Sequence, residues 1–321
     1  MEIPTLQRIL VPVDFSESSL NALTTAVAIS QRQGAELQLL HVLDADTHAF
    51  SGGEPASDAL TELVQAQTKK IEELASRTAD EHQITCYGGC RVGSVSSEIA
   101  TAAHIADADL IVLGTHGTSG IRAFHIGTEA YQVIKTAGCP VLTVPAHKSW
   151  PLFEHILFPI RPVPNALEKY EFARKIIHPD HTQLTVLALH APDEVISIGQ
   201  LQDEVGALNV QLARDGIKSQ TIFCPTELIA ETVLQKADEL AADLLVITAT
   251  LDTRIQDFFI GPFTQQIVHN ARVPVLSIRP HSSSAQGPSR VEWHYSWQAQ
   301  AANWKSSEAT PPDWPTGQSN Q

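Results

Sequence analysis

The residues best suited to chemistry lie in one stretch: Gly114-Thr-His116-Gly117, then nine residues, then Gly127-Thr128. An apolar run ends at Leu113 and a helical pattern opens at Thr128, so the stretch joins a strand to a helix. Gly114 lets the chain turn sharply off the strand, and Gly117 lets backbone approach a ligand with no Cβ in the way. Gly127-Thr128 opens the helix, where free N–H groups and the positive dipole end favour an anion and a hydroxyl adds a bond. These residue types in this order suit a polyphosphate. The competing explanation is the fold alone, since strand exits and helix starts often need glycine simply to turn. Glu129 follows directly; its carboxylate suits the dipole but repels a phosphate unless a cation intervenes, and Arg122 in the loop offsets it locally.

The elements that must hold this loop alternate strand and helix. Arg8-Ile-Leu-Val-Pro-Val-Asp14 reads as a buried strand, and capping residues then lead into Leu20, Leu23 and Val27 at helical spacing, ended by Gly34. Strands are expected at Glu36–Leu43, Ile84–Arg91, Leu110–Gly114 and Val141–Val144, with helices over Ser57–His82, Val95–Ala106 and Thr128–Ala137. Such alternation implies a parallel sheet covered on both faces, because parallel strands need crossover connections. In an open sheet of this kind ligands sit at the carboxyl ends of the strands, where strand order reverses.

Near Lys148-Ser-Trp-Pro151 the pattern restarts. His155-Ile-Leu-Phe-Pro-Ile-Arg161 echoes Arg8–Asp14 at an offset of 147, and Asp243–Ile278 aligns without a gap on Asp109–Val144 at an offset of 134. Asp109/Asp243, Ile121/Ile255, Phe124/Phe258, Gly127/Gly261 and Pro140/Pro274 coincide, which marks a tandem duplication. The expected organisation is residues 1–148, residues 149–280, and a tail over 281–321 rich in Ser, Pro, Gln and Ala. That tail carries Trp293, Trp297, Trp304 and Trp314; it reads either as an irregular extension or as a docking segment. At the places of Gly114, Gly117 and Thr128 the second repeat has Thr248, Leu251 and Pro262, and Arg161 stands where the first has Asp14. Pro262 offers neither an N–H nor a hydroxyl to a phosphate, yet suits a first helical turn. The second copy therefore reads as degenerate, built to fold without binding in the same way.

The spacing Gly-x2-Gly, nine residues, Gly-Ser/Thr resembles the nucleotide motif of the universal stress protein family. Ile9–Asp14 and Cys139–Val144 are similar to that family's first and last strands. The resemblance spans both repeats, about residues 5 to 280. It implies two tandem open five-stranded parallel sheets of order 3-2-1-4-5 with helices on both faces, a Rossmann-like α/β fold. It also implies ATP, ADP or AMP in the cleft, with magnesium as a companion although no carboxylate cage is visible. By position Asp14 would meet the nucleoside end, with Pro12 and Val13 beside it, and Val42 backbone would lie near adenine. Gly114, His116, Gly117, Gly127, Thr128 and Glu129 would surround ribose and phosphates. Dimerisation through the last strand is implied as well. Here that means the two repeats pairing on each other through Val141–Val144 and Val273–Ile278, and such chains forming homodimers.

Composition narrows the remaining classes. With 36 acidic against 21 basic residues, a formal charge of -15, the chain lacks the basic face that nucleic acid or an anionic membrane needs. No apolar run is long enough to span a bilayer, and four cysteines are too few for a disulfide scaffold, so a cytoplasmic setting is expected. Cys86-x3-Cys90 reads as an ordinary buried pair and His178-Pro-Asp-His181 as a solvated turn. No nucleophile, base and orienting group come together in the sequence. The expected function is a non-catalytic, nucleotide-binding regulator of the stress response, with nucleotide in the first repeat only and an unidentified protein partner. A nucleotide-independent scaffold with vestigial clefts and a slow ATPase are the alternatives.

Overall fold

The computed structural model describes residues 5–44, 57–115, 128–161, 167–192, 195–249, 251–252 and 259–279. The first repeat contributes β1 (Arg8–Pro12), α1 (Glu17–Gln33), β2 (Glu36–Asp44), α2 (Ser57–His82), β3 (Cys86–Gly93), α3 (Val95–Ile105), β4 (Leu110–Gly114), α4 (Thr128–Thr136) and β5 (Val141–Val144). The second contributes β6 (His155–Ile160), α5 (Glu168–Ile176), β7 (Gln183–His190), α6 (Val195–Arg214), β8 (Lys218–Pro225), α7 (Ile229–Glu239), β9 (Leu244–Thr248), β10 (Leu251–Asp252), β11 (Phe259–Ile260), α8 (Pro262–Asn270) and β12 (Val275–Ile278).

Strand order is β3-β2-β1-β4-β5-β12-β9-β6-β7-β8. Within each repeat these strands run in the order 3-2-1-4-5 and every described pairing among them is parallel, while β10 and β11 form a separate two-stranded antiparallel ribbon. The two halves meet where β5 and β12 pair antiparallel, Thr143 opposite Val275 and Val141 opposite Ser277. The result is one continuous sheet of ten strands, with the edges of both fifth strands covered. α3 packs on α4, and by the right-handed rule for parallel crossovers these two cover the face opposite α1 and α2.

Burial explains why these segments form these elements. β4 and β9 have four successive buried residues each, the uninterrupted apolar run of a central parallel strand. α1 buries Ala22, Leu23, Ala26, Val27, Ile29 and Ser30 on one stripe, starts at the Ser16 cap and stops at Gly34, whose φ of 68° suits glycine. The repeated Asp109/Asp243 has a shared structural task at the amino ends of the strands, away from the cleft. Asp109 accepts from the Gln7 and Arg8 N–H groups, and Asp243 accepts from those of Glu154 and His155. The connection between repeats is part of the core: Trp150 is buried, and its backbone N–H donates to the Thr25 hydroxyl of α1 at 3.1 Å.

Candidate functional site

Pro12, Val13, Asp14, Val42 and Gly114 gather at the carboxyl ends of the first three central strands, β2, β1 and β4, where strand order reverses. The Val13 N–H continues the ladder to the Leu40 carbonyl at 2.8 Å. The Val13 carbonyl in turn lies 2.7 Å from His41 Nδ1, so that nitrogen carries the proton and donates. Directly after the strand, Asp14 Oδ1 accepts from Ser16 N at 3.0 Å and from Ser16 Oγ at 2.6 Å. Ser16 Oγ then caps α1 by accepting from Ser19 N at 3.2 Å. The turn forces Phe15 to a φ of 64°, a strained value for an aromatic residue. Phe15 is held there by neighbours: its ring centroid is 5.1 Å from that of His41, and Lys70 Nζ of α2 stands 3.6 Å above it.

Gly114 has a packing reason of its own. A Cβ on it would lie 2.3 Å from Ser18 Oγ and 2.7 Å from the Ser18 carbonyl carbon, so the first turn of α1 presses directly on the end of β4. The residue is thus required by close approach of a helix whether or not ligand backbone contacts follow. In the second repeat the position is Thr248, and α5 begins only at Glu168, the counterpart of Asn21, so the counterpart of Ser18 precedes the helix. His116, Gly117 and Gly127 lie outside the described residues; Thr128 is the first residue of α4, and of its side chain nothing is described.

Glu129, in the first turn of α4, is occupied locally. Its Oε2 accepts from Ser96 N at 2.9 Å. Ser96 lies in the first turn of α3, whose own cap residue Ser94 makes no side-chain bond. The carboxylate therefore supplies the cap that α3 lacks, from a neighbouring helix. Beside it Arg91 Nε pairs with Glu98 Oε2 at 2.7 Å.

The equivalent place in the second repeat is built differently. Arg161, at Asp14's position, makes a cation–π contact with the ring of Phe263, at Glu129's position, with 5.4 Å from the guanidinium carbon to the centroid. Leu251, at Gly117's position, pairs with Ile260 in the antiparallel ribbon β10–β11. Pro262 opens α8, so that helix start lacks one N–H donor. Lys169, the counterpart of Ala22, is buried at 4% exposure; it donates to the Pro159 carbonyl, and its ammonium stands 4.5 Å over the Phe158 ring.

The model of the universal stress protein family matches residues 5–145 and again residues 152–279. The chain belongs to the universal stress protein family. A universal stress protein of Methanocaldococcus jannaschii is 30% identical over 138 residues, 43% of this chain and 81% of that protein. The Bacillus subtilis protein YxiE is 31% identical over 144 residues, 43% of this chain and 97% of its own length. A solved universal stress protein of Archaeoglobus fulgidus, at 16% identity, superposes over 86% of this chain and 97% of that one with a TM-score of 0.66, which shows a shared fold across both repeats. This universal stress protein is thus a tandem member, and the M. jannaschii and B. subtilis relatives match less than half of it.

In this universal stress protein the strand ends bring Pro12, Val13, Asp14, Val42 and Gly114 together as the sequence expects. They add Phe15 and Lys70 beside them and Lys169 at the equivalent place of the second repeat, none of which the sequence reading singled out. The signals were present: an aromatic residue between Asp14 and Ser16, and a lysine where the first repeat has Ala22. Among the described residues no group of three or more His, Cys, Asp or Glu is placed to hold a metal, and no helix is long and apolar enough to cross a membrane. Burial pushes the Cys86 and Cys139 thiols up to about 12, which keeps them protonated at neutral pH. His178 and His181 lie in a turn closed by the bond from His181 N to the His178 carbonyl.

Proposed function

We propose that residues 1–148 form a nucleotide-binding repeat and that residues 149–280 form a companion repeat without that activity. The ligand is ATP or another adenine nucleotide, held at the carboxyl ends of β1, β2 and β4, and the protein acts as a non-catalytic regulator in the cytoplasmic stress response. The observation that carries this reading is the contrast between two clefts of one fold. In the first, the Gly114–Thr128 motif is complete in sequence, and Gly114 closes β4. In the second, backbone at Leu251 is tied into a ribbon, proline opens the helix, and Arg161 lies on Phe263.

The nucleoside end would meet Asp14 and the Val42 backbone, with Pro12 and Val13 forming the floor. His116, Gly117, Gly127 and Thr128 would hold ribose and phosphates. The engagement of Glu129 with Ser96 removes an objection, because a carboxylate bonded to the α3 N-terminus is partly neutralised by that dipole. Magnesium would serve as a counter-ion to the phosphates. The β5–β12 join occupies the last-strand edges inside one chain, so further dimerisation would use another surface.

Titrating the full chain with ATP tests this reading. Saturable binding is expected, abolished by Gly117→Leu and unaffected by Leu251→Gly. If both variants bind as the parent does, the assignment to the first cleft fails.

A further inference from the structure

The second cleft has exchanged its charge as well as lost its motif. Where the first repeat has Asp14 and Ala22, the second has Arg161 and Lys169, and where the first has Glu129 it has Phe263. Arg161 follows β6, Lys169 comes from the first turn of α5, and Phe263 from the first turn of α8, so three elements bring these residues to the strand end. The Arg161 guanidinium carbon stands 5.4 Å from the Phe263 ring centroid, a contact that uses none of its five N–H donors as a hydrogen bond to an oxygen. None of those donors has an acceptor among the described residues, and neither cation has a carboxylate partner there. Lys169 spends one ammonium donor on the Pro159 carbonyl.

Two further observations concern the elements that supply these residues. Burial, with Arg161 adding like-charge repulsion, pushes the Lys169 amine down to about 7, the direction expected when a buried cation lacks a counter-charge. In the first turn of α8 the Thr264 hydroxyl is buried, at 1% exposure, with no hydrogen-bond partner among the described residues. Native interiors rarely leave such donors unused.

We propose that the second cleft is a binding site for a small oxyanion, phosphate or carboxylate, held by Arg161 and Lys169 at the carboxyl end of β6. A guanidinium offers a planar donor pair that matches two oxygens, and the neighbouring Lys169 ammonium adds a point charge. The site is separate from nucleotide binding in the first repeat and stands whether or not that reading holds.

Calorimetric titration of the full chain with inorganic phosphate, and separately with malonate, tests the proposal. Saturable binding of at least one is expected, weakened about tenfold or more by Arg161→Gln and by Lys169→Met, as loss of a charged hydrogen bond implies. The titrations are run in the Gly117→Leu background, which removes phosphate binding at the first cleft, so that the response read belongs to the second. A response to phosphate alone identifies a phosphoryl ligand, and a response to malonate alone identifies a carboxylate. Absence of any saturable response, or a response that Arg161→Gln leaves unchanged, overturns the site. Urea denaturation of each variant verifies folding, and Arg161→Gln decides the matter if Lys169→Met fails to fold.

Discussion

Replacing Lys169 with methionine is expected to stabilise the protein at neutral pH, although it removes a hydrogen bond. The amine is completely buried and its pKa falls from 10.5 to about 7, through desolvation first and Arg161 second. The difference corresponds to about 5 kcal/mol as an upper limit. Below pH 7 the folded and unfolded chains both carry the proton, and the full cost of burying the charge is present. Between pH 7 and 10.5 the unfolded chain holds the proton and the folded chain releases it, so stability rises with pH; above that window the cost is gone. Methionine fills similar space without a charge. It forfeits the bond to the Pro159 carbonyl and the contact with Phe158, together about 2 kcal/mol. The variant should therefore exceed the parent by roughly 2–3 kcal/mol near pH 6.5 and lose that advantage by about pH 10. Urea denaturation at several pH values measures the difference, and subtracting the variant cancels titrations common to both proteins, such as those of Cys86 and Cys139. A stability difference that stays constant from about pH 6.5 to about pH 10 would refute the reasoning.

Other expectations follow from single contacts. Gly114→Ala drives a Cβ to 2.3 Å from Ser18 Oγ and should cost about 1–3 kcal/mol, read as a lowered urea midpoint with unchanged slope. Glu129→Ala removes the borrowed cap of α3 and should cost about 1 kcal/mol, while Glu129→Gln, which keeps an acceptor, should cost less; thermal denaturation of the pair separates the two. Lys70→Met should leave overall stability within about 1 kcal/mol, because the contact with Phe15 is a single cation–π interaction. Hydrogen exchange of the amides around Phe15 should nevertheless quicken in that variant, since the strained turn loses a neighbour.

The duplication and the strand pattern could be read from the sequence because they are local and periodic. Ser57–His82, Leu110–Gly114 and Val141–Val144 fall where hydrophobic spacing puts them. The glycine motif was equally visible, but its meaning was not. Whether Gly114 serves a ligand or a neighbouring helix depends on Ser18, 96 residues away in the chain, and no spacing rule reports that distance. Glu129 shows the same limit: its partner is the backbone of Ser96, and backbone donors have no sequence signature. The replacement of Asp14 by Arg161 was legible as a charge change. That Arg161 would lie on Phe263 with Lys169 behind it needed the fold, which joins residues from β6, α5 and α8.

The central claim is a chain double in fold and single in nucleotide. Heating the purified full chain and quantifying the nucleotide it releases tests that most directly, with ATP titration of the emptied protein for stoichiometry. The account predicts adenine nucleotide at about one per chain, with Gly117→Leu reducing it to none. No released nucleotide together with no saturable ATP binding would contradict it, and so would two nucleotides per chain.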